Sequence, residues 1–246
     1  MKQYKDFFEY NNIQEEGKFR ISPSSFGSFY DNPILWYKKQ VLKTDRFEGN
    51  TNTVIGTLLH ARIGSYWSNI KIDTDIEKEY LSRFINNAEV DEWKVYEEVN
   101  KLWEIIPEYI TQIKPIAVER ETRFDIPNTN YILAGTIDYE LFDALGDIKT
   151  TSTTPKQIKV SHKQQLYLYL ISDTYSGKEL KKYIEVIYIV KTKVPKIVVL
   201  REEVDIEFFN YMKDEVKNLI RRIEMCKEDE SLIPILFYNN LNSYLN

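Results

Sequence analysis

The sequence predicts an α/β fold in which a mixed central sheet is flanked by helices and preceded by a helical elaboration. Three observations carry this expectation. Apolar residues recur with helical spacing up to about residue 113, and the period becomes strand-like near residue 115. The strands are then separated by turn signals, and two more helical patterns separate and follow the last strands.

In chain order, "SPSSFGSFYDNPILWYKKQVL" (22–42) reads as two short helices, with Ser22 or Ser24 capping the first and Asn32-Pro33 opening the second. Helical spacing continues in "TVIGTLLHARIGSYW" (53–67), in 75–87 and in 91–113. Strands are expected at 115–126, 130–142 and 146–151, the first two linked by "PNTN", a strong turn sequence. Pro155 opens a helix over 155–173, strands follow at 182–191 and 196–201, and a helix covers 204–228. The final "LIPILFYNNLNSYLN" shows no clear period. The chain thus reads as one domain over 1–246, with a helical part (1–113), a sheet core (114–201) and a C-terminal helical part (202–246).

With 43% hydrophobic and 14% aromatic residues in a chain of 246, the composition is globular and supports a sizeable core. The formal charge of -5 gives no global basic excess, so binding to nucleic acid has to use a local patch. "WYKKQVLKTDR" (36–46) and "PKQIKVSHK" (155–163) are such clusters, and solvated helix faces explain them equally well. Cys226 is the one cysteine, which excludes a disulfide framework, a thiolate zinc site and a four-cysteine iron–sulfur cluster, and fits a reducing compartment. The start "MKQYKDFFEY" lacks an apolar signal core, and no run approaches the roughly 20 apolar residues of a membrane span. These features read as a cytosolic protein without a membrane partner. No G-x-x-x-x-G-K-[ST] loop is present, so a helicase working with this chain would be a separate protein.

The stretch "GTIDYELFDALGDIKTTS" (135–152) reads as two strands and a tight turn holding Asp143 and Gly146. Alternation puts Thr136, Asp138 and Glu140 in one row and Ile137, Tyr139 and Leu141 in the other, and puts Asp147 and Lys149 on a common face. Pairing then brings Asp138 close to Asp147 and Lys149. Two carboxylates held together repel unless a proton or cation lies between them, and a divalent metal is a common solution. Taken alone, the same residues are ordinary for an antiparallel sheet with one solvated face.

Three other positions stand out. On the helix at 53–67, Gly56, His60, Gly64 and Trp67 fall on one face, so the imidazole can reach a group lying close to the backbone, although a single histidine is more often a satisfied core or surface residue. In "HKQQLYLYL" (162–170), Gln165 and Tyr169 lie one turn apart and can hold a nucleotide, with Lys159 and Lys163 adding charge; a helix edge with a snorkelling tyrosine is the plainer reading. In "AVERETRFDI", Glu119 or Glu121 can share the face of Asp138, with Arg120 opposite and Glu121 reading as surface charge.

In order, G-x-x-x-H (Gly56 to His60), G-x-x-D (Gly135 to Asp138), D-x-K (Asp147 to Lys149) and Q-x-x-x-Y (Gln165 to Tyr169) resemble the PD-(D/E)XK nuclease superfamily, in the branch of bacterial recombination helicase-nuclease domains and stand-alone phage-type exonucleases. "ISPSSFGSFYDNPILWYKK" also looks like the S-P-S beginning of stand-alone members, so the resemblance covers about residues 21–190. Two departures are visible: no proline precedes Asp138, as is usual in that branch, and the cluster cysteines of the iron–sulfur members are missing.

The resemblance implies a restriction-endonuclease-like fold and a metal-dependent DNA exonuclease of recombination, repair or phage replication, in a bacterial or phage-infected cytosol. It places Mg2+ or Mn2+ on His60, Asp138, Asp147 and the backbone carbonyl of Ile148, with Glu119 in support. Lys149 orients or deprotonates the attacking water or stabilises the transition state, Gln165 and Tyr169 position the strand, and the product carries a 5'-phosphate. A recombinase, a single-strand annealing protein or a helicase is an implied partner, and a ring-shaped homo-oligomer would favour exonuclease action. An endonuclease of the same fold and a non-catalytic DNA-binding module are the alternatives.

Overall fold

The computed structural model describes residues 2–8, 17–44, 49–84 and 87–237. Arg46 of the first basic run, residues 85–86 of the helix expected at 75–87 and residues 238–246 lie outside them.

A short 3-10 turn, Tyr4–Phe7, precedes strand β1 (Phe19–Ile21). Helices α1 (Pro23–Asp31) and α2 (Pro33–Tyr37) follow, the latter running into a π turn at Lys38–Leu42. Asn32 caps α2 by accepting from Leu35 N at 3.1 Å, whereas the hydroxyl of Ser22 makes no cap bond to α1. Then come α3 (Thr51–Trp67), α4 (Thr74–Ser82), α5 (Glu92–Trp103) and α6 (Ile106–Ile110). The single helix expected over 91–113 is two, because Pro107 has no N–H to continue the ladder and instead opens a new turn.

Strands β2 (Ala117–Asp125), β3 (Tyr131–Glu140) and β4 (Ala144–Thr151) lead to α7 (Val160–Tyr175), β5 (Tyr183–Val190), β6 (Lys196–Glu203) and α8 (Ile206–Glu228). α7 starts five residues after Pro155, contrary to the expected start there. The preceding loop is tied to the sheet instead: Ile158 N donates to Glu202 Oε1 at 3.3 Å and Lys159 N to Tyr188 Oη at 3.1 Å. In the tail, a 3-10 turn and α9 (Ile233–Leu236) deliver Phe237 between Phe29, Trp36 and Tyr37, where it is fully buried.

Among the described residues six strands form one mixed sheet in which β1, β3, β4, β5 and β6 follow one another and β2 also pairs with β3. β4 and β5 are parallel over their whole length, from Ala144↔Tyr183 to Thr151↔Val190. β5, "YIEVIYIV", is apolar on both faces as a central strand has to be. Leu145, Val186 and Tyr188 pack toward α1, α7 and α8, while Ile148, Ile187 and Ile189 pack toward α3 and α5. β1 was invisible in the sequence because three residues are too few to display a period.

The expected hairpin is real but short. β3 and β4 pair only at Tyr139↔Gly146 and Glu140↔Leu145. β2 occupies one edge of β3 along nearly its whole length, and β1 takes the other edge at Tyr131–Leu133. Between β1 and the β4 contact, residues 134–138 have no strand partner on that edge among the described residues, so β3 and β4 diverge as a fork. Gly146 is not a turn residue as expected. It lies in β4 under the Tyr139 ring, where a Cβ would sit 2.0 Å from Cζ, and Leu141 N donates across the turn to Ala144 O at 2.9 Å.

The helical layer has a charged centre. Arg62 donates Nε and Nη2 to the two oxygens of Glu77, each at 2.8 Å, and Nη1 to Asn100 Oδ1 at 3.0 Å; Tyr4 Oη adds a 2.5 Å bond to Glu77. Glu77 is 0% exposed. Replacing it by alanine leaves a buried guanidinium without its anion, an effect of about 3–5 kcal/mol. Urea denaturation of Glu77→Ala should show that loss; a change below about 1 kcal/mol would mean that the network relaxes to water at little cost.

Candidate active site

The fork is the floor of a groove of about 510 Å³. α3 supplies His60, with Thr53, Gly56 and Thr57 on the same face, since residues three and four apart lie above one another. β2 supplies Glu119, β3 Gly135, Thr136 and Asp138, β4 Ile148, Lys149 and Thr150, and α7 Gln165 and Tyr169.

Regular alternation breaks where the site is built. Val118 pairs with Tyr139 and Arg120 with Ile137, yet Glu119 and Asp138, facing each other between those pairs, make no ladder pairing. Glu119 has φ 47°, a left-handed conformation that costs a non-glycine residue about 1–3 kcal/mol. Ile137 belongs to the apolar layer on the α7 side and Tyr139 to the one on the α3 side. The single apolar row expected for Ile137, Tyr139 and Leu141 is therefore corrected: the face switches at Asp138, and this turns the Asp138 and Glu119 carboxylates toward His60. Arg120 points to the α7 side, bonded to Glu140 (Nε to Oε2, 2.5 Å) and Asp173 (Nη1 to Oδ1, 3.1 Å), and Glu121 is exposed, as expected of surface charge.

Ligand-type atoms of His60, Glu119 and Asp138 all lie within 4.8 Å of one another. His60 Nδ1 is 3.5 Å from Asp138 Oδ2, and the same oxygen accepts from Ile148 N at 2.6 Å, closing the fork. Asp147 stands on the β4 side, 1% exposed. Its Oδ1 accepts from Lys149 Nζ at 2.6 Å and from Gln165 Nε2 at 3.0 Å, and Gln165 also donates to Tyr169 Oη at 3.3 Å. Its Oδ2 is buried without a partner among the described residues. The Tyr169 ring lies over Gly135, where a Cβ would come 3.0 Å from Cε1 and 3.1 Å from Pro23 Cδ, which accounts for the glycine of G-x-x-D. Gly56 is less demanded: a Cβ there would meet Thr150 Oγ1 at an ordinary 3.7 Å.

Crowded charge shapes the protonation states. Burial pushes the Asp147 carboxyl up to about 6, with Asp138 adding to the rise and Lys149 opposing it. Burial and the Asp138 charge push Glu119 up to about 7. Burial works against charged His60, yet the Asp138 carboxylate overrides it and holds the imidazole up at about 9. Burial likewise opposes the Lys149 ammonium, and Asp147 and Asp138 outweigh it, so its pKa is raised. Asp138 stays below the usual carboxylate range despite burial, held there by His60, Lys149 and the Ile148 N–H.

This donor set fits a divalent cation. It is rich in carboxylate oxygen with one imidazole, two of its acids are raised by burial with the Asp138 charge adding to the rise, and among the described residues Asp147 Oδ2 lacks the partner that a buried carboxylate oxygen requires.

The structure gathers His60, Glu119, Asp138, Asp147, Ile148, Lys149, Gln165 and Tyr169 in one place. Asp147 stands outside the closest three-residue group, and Ile148 contributes its N–H to Asp138, with its carbonyl role resting on the resemblance. Lys159 and Lys163 are not brought to the groove: Lys159 is exposed, and Lys163 Nζ is paired with Glu202 Oε2 at 3.1 Å. Trp67 is partly buried against the core, packed on Tyr139 with its Nε1 donating to Ile110 O at 3.0 Å. Sequence reasoning missed Lys2, Arg20, Thr53, Thr57 and Thr150 in the lining. Thr53 and Thr57 were findable, lying at helical spacing from His60; nothing in the sequence pointed to Lys2.

A forked mixed sheet that holds an acidic cluster and a lysine in one groove is suited to hold a divalent cation beside a fixed positive charge. The chain belongs to the PD-(D/E)XK nuclease superfamily, whose model matches residues 20–231. Among solved structures, a protein assigned as an exonuclease from Eubacterium rectale shares the fold with a TM-score of 0.61 at 13% identity, covering 89% of this chain and 86% of that one. An alkaline exonuclease from Laribacter hongkongensis matches at 14% identity over 70% of this chain and 96% of that one, with a TM-score of 0.38. A search of the curated proteins yields no match. Among the described residues no helix is long and apolar enough to cross a membrane.

Proposed function

We propose that the protein is a Mg2+- or Mn2+-dependent deoxyribonuclease that degrades DNA from its ends and leaves 5'-phosphates, with residues 1–246 forming one nuclease domain. The observation that carries this reading is the juxtaposition, across one groove, of the His60–Glu119–Asp138 group and the Lys149–Asp147–Gln165 chain. His60, Asp138, Asp147 and the Ile148 carbonyl would hold the metal, with Glu119 in support; when bound, it activates water and offsets charge on the phosphate under attack.

The protein's own groups define the rest of the chemistry. Lys149, kept cationic by two carboxylates, presents a fixed positive charge to the phosphate and orients the attacking water. Asp147 locks that ammonium in place at 2.6 Å, and Gln165 locks Asp147. Tyr169, wedged over Gly135, shapes the wall against which the substrate strand lies. Arg20, also in the lining, adds a permanent charge for the backbone. Action on ends is supported by the exonuclease assignment of the E. rectale protein of similar fold. Recombination, repair or phage replication, with a recombinase, annealing protein or helicase as partner and a homo-oligomeric assembly, is the setting that the sequence resemblance favours.

The test is incubation of end-labelled linear DNA and closed-circular DNA with Mg2+, Mn2+ or EDTA. Metal-dependent loss of the linear substrate alone is expected, with the label giving polarity. Attack on the circle would replace the exonuclease reading by an endonuclease one, and binding without cleavage would leave a DNA-binding module.

A further inference from the structure

The N-terminal segment belongs to the groove and not merely to its surroundings. Three anchors fix the Tyr4–Phe7 turn and its next residue. Tyr4 Oη donates to buried Glu77 at 2.5 Å. Phe7 fits against α3 so closely that a Cβ on Gly64 would lie 2.5 Å from its Cε1. The Phe8 ring meets Tyr80 at 4.9 Å. Asp6 is engaged locally, Oδ2 accepting from Gln3 N at 2.7 Å. Lys2 stands just before these anchors and lines the groove that holds His60, Glu119 and Lys149.

The Lys2 ammonium lies 4.2 Å from the centroid of the Phe7 ring and forms no ion pair with any of the described residues. It is half-buried. A surface lysine serving only solubility would extend into water, and one serving only to neutralise the acids would close on Glu119 or Asp6. Lys2 does neither: it is held beside the acidic cluster with its donors unused by a carboxylate. Burial lowers its pKa while Glu119, Asp6 and Glu121 work in the opposite direction, so it senses the charge of the site.

We infer that Lys2 is a phosphate-positioning residue for the proposed cleavage reaction, offering its ammonium to a non-bridging phosphate oxygen of the DNA from the Glu119 side of the groove while Lys149 acts from the Asp147 side. The inference rests on the nuclease reading above and adds to it a residue outside the recurring motifs. Ammonium suits this role as a compact donor on a flexible stem, which can leave the face of Phe7 for the phosphate without disturbing the anchored turn.

The test compares wild type, Lys2→Ala and Lys2→Arg on end-labelled DNA, with kcat and KM measured separately and melting followed in parallel. Lys2→Ala should lower kcat/KM by about 10-fold or more, the factor of one well-placed charge-assisted contact, with an unchanged Tm. Lys2→Arg should recover most of the loss. With cleavage silenced by Lys149→Ala, adding Lys2→Ala should reduce the salt slope of single-strand binding by about 0.7, the share of one neutralised phosphate. Wild-type kinetics and slope in Lys2→Ala, alongside an active wild type, would overturn the inference alone. A kinetic loss that follows a fall in Tm and is not recovered by arginine would also overturn it, by making Lys2 structural. A wild type that cuts no DNA with either metal would overturn the proposed function and this inference with it.

Discussion

Replacing Lys149 by alanine is expected to abolish metal-dependent DNA cleavage, a loss of at least about 10²–10³-fold, while leaving the fold and most DNA affinity in place. The size of the effect follows from position: Lys149 is the cation that faces the groove from β4, and its ammonium is bonded to Asp147 at 2.6 Å. Its removal leaves Asp147, 1% exposed, without its counter-charge. The Asp147 carboxyl, already raised to about 6, should then rise further and take up a proton near neutral pH, which is how a buried carboxyl avoids an isolated charge. That response protects the fold, so lost activity with normal circular dichroism and a modest Tm decrease is the expected pattern. Cleavage of end-labelled DNA by Lys149→Ala at the wild-type rate would sink the assignment. Lys149→Arg separates the two roles: partial activity would point to a fixed charge, and none would point to proton transfer, because a guanidinium keeps its proton.

Asp138→Asn is the second large effect. The asparagine oxygen can still accept from Ile148 N, so the fork between β3 and β4 should hold, but the charge that binds a cation is gone. Saturating Mn2+ should raise the wild-type melting temperature, equivalent to about 2.7 kcal/mol at 100 times Kd, and should leave Asp138→Asn unmoved. A full Mn2+ shift in the variant would remove Asp138 from the ligand set. The metal-free protein offers a control on the same pair. His60 has its pKa raised from 6.5 to about 9 beside Asp138, so this pair contributes stability that is complete below pH 6.5 and lost as the pH rises toward about 9. Denaturation in EDTA should show that component in wild type and not in Asp138→Asn.

Much of the site was legible because its residue types are wrong for their local surroundings. An aspartate and a lysine in a strand otherwise built of alanine, leucine, glycine, isoleucine and threonine, a histidine on an apolar helix, and a glutamine and tyrosine one turn apart each violate a local preference, and all of them converge on the groove. Lys159 and Lys163 show the limit of the same reasoning. Lys159 precedes α7 as its N-cap residue and Lys163 lies in the first turn, but the orientation of the helix on the sheet sends Lys163 to Glu202 on β6, and no sequence period encodes that orientation. Glu119 reads as one of several charges in an alternating strand; only its left-handed backbone distinguishes it.

By itself the sequence determined most of the helical and strand segments, the order of the four motifs and the identity of Asp138, Asp147 and Lys149 as partners, because these depend on spacing within single elements or across one short turn. Tertiary structure alone decided that β3 and β4 separate after two pairs, that β1 fills the other end of the same edge of β3, and that alternation breaks at Asp138. It also decided that the Tyr4–Phe7 turn walls the groove with Lys2. Those outcomes arise from competition among distant segments for one strand edge and one patch of apolar helix surface, and the energy of such contacts is set by packing in three dimensions rather than by the period of any segment.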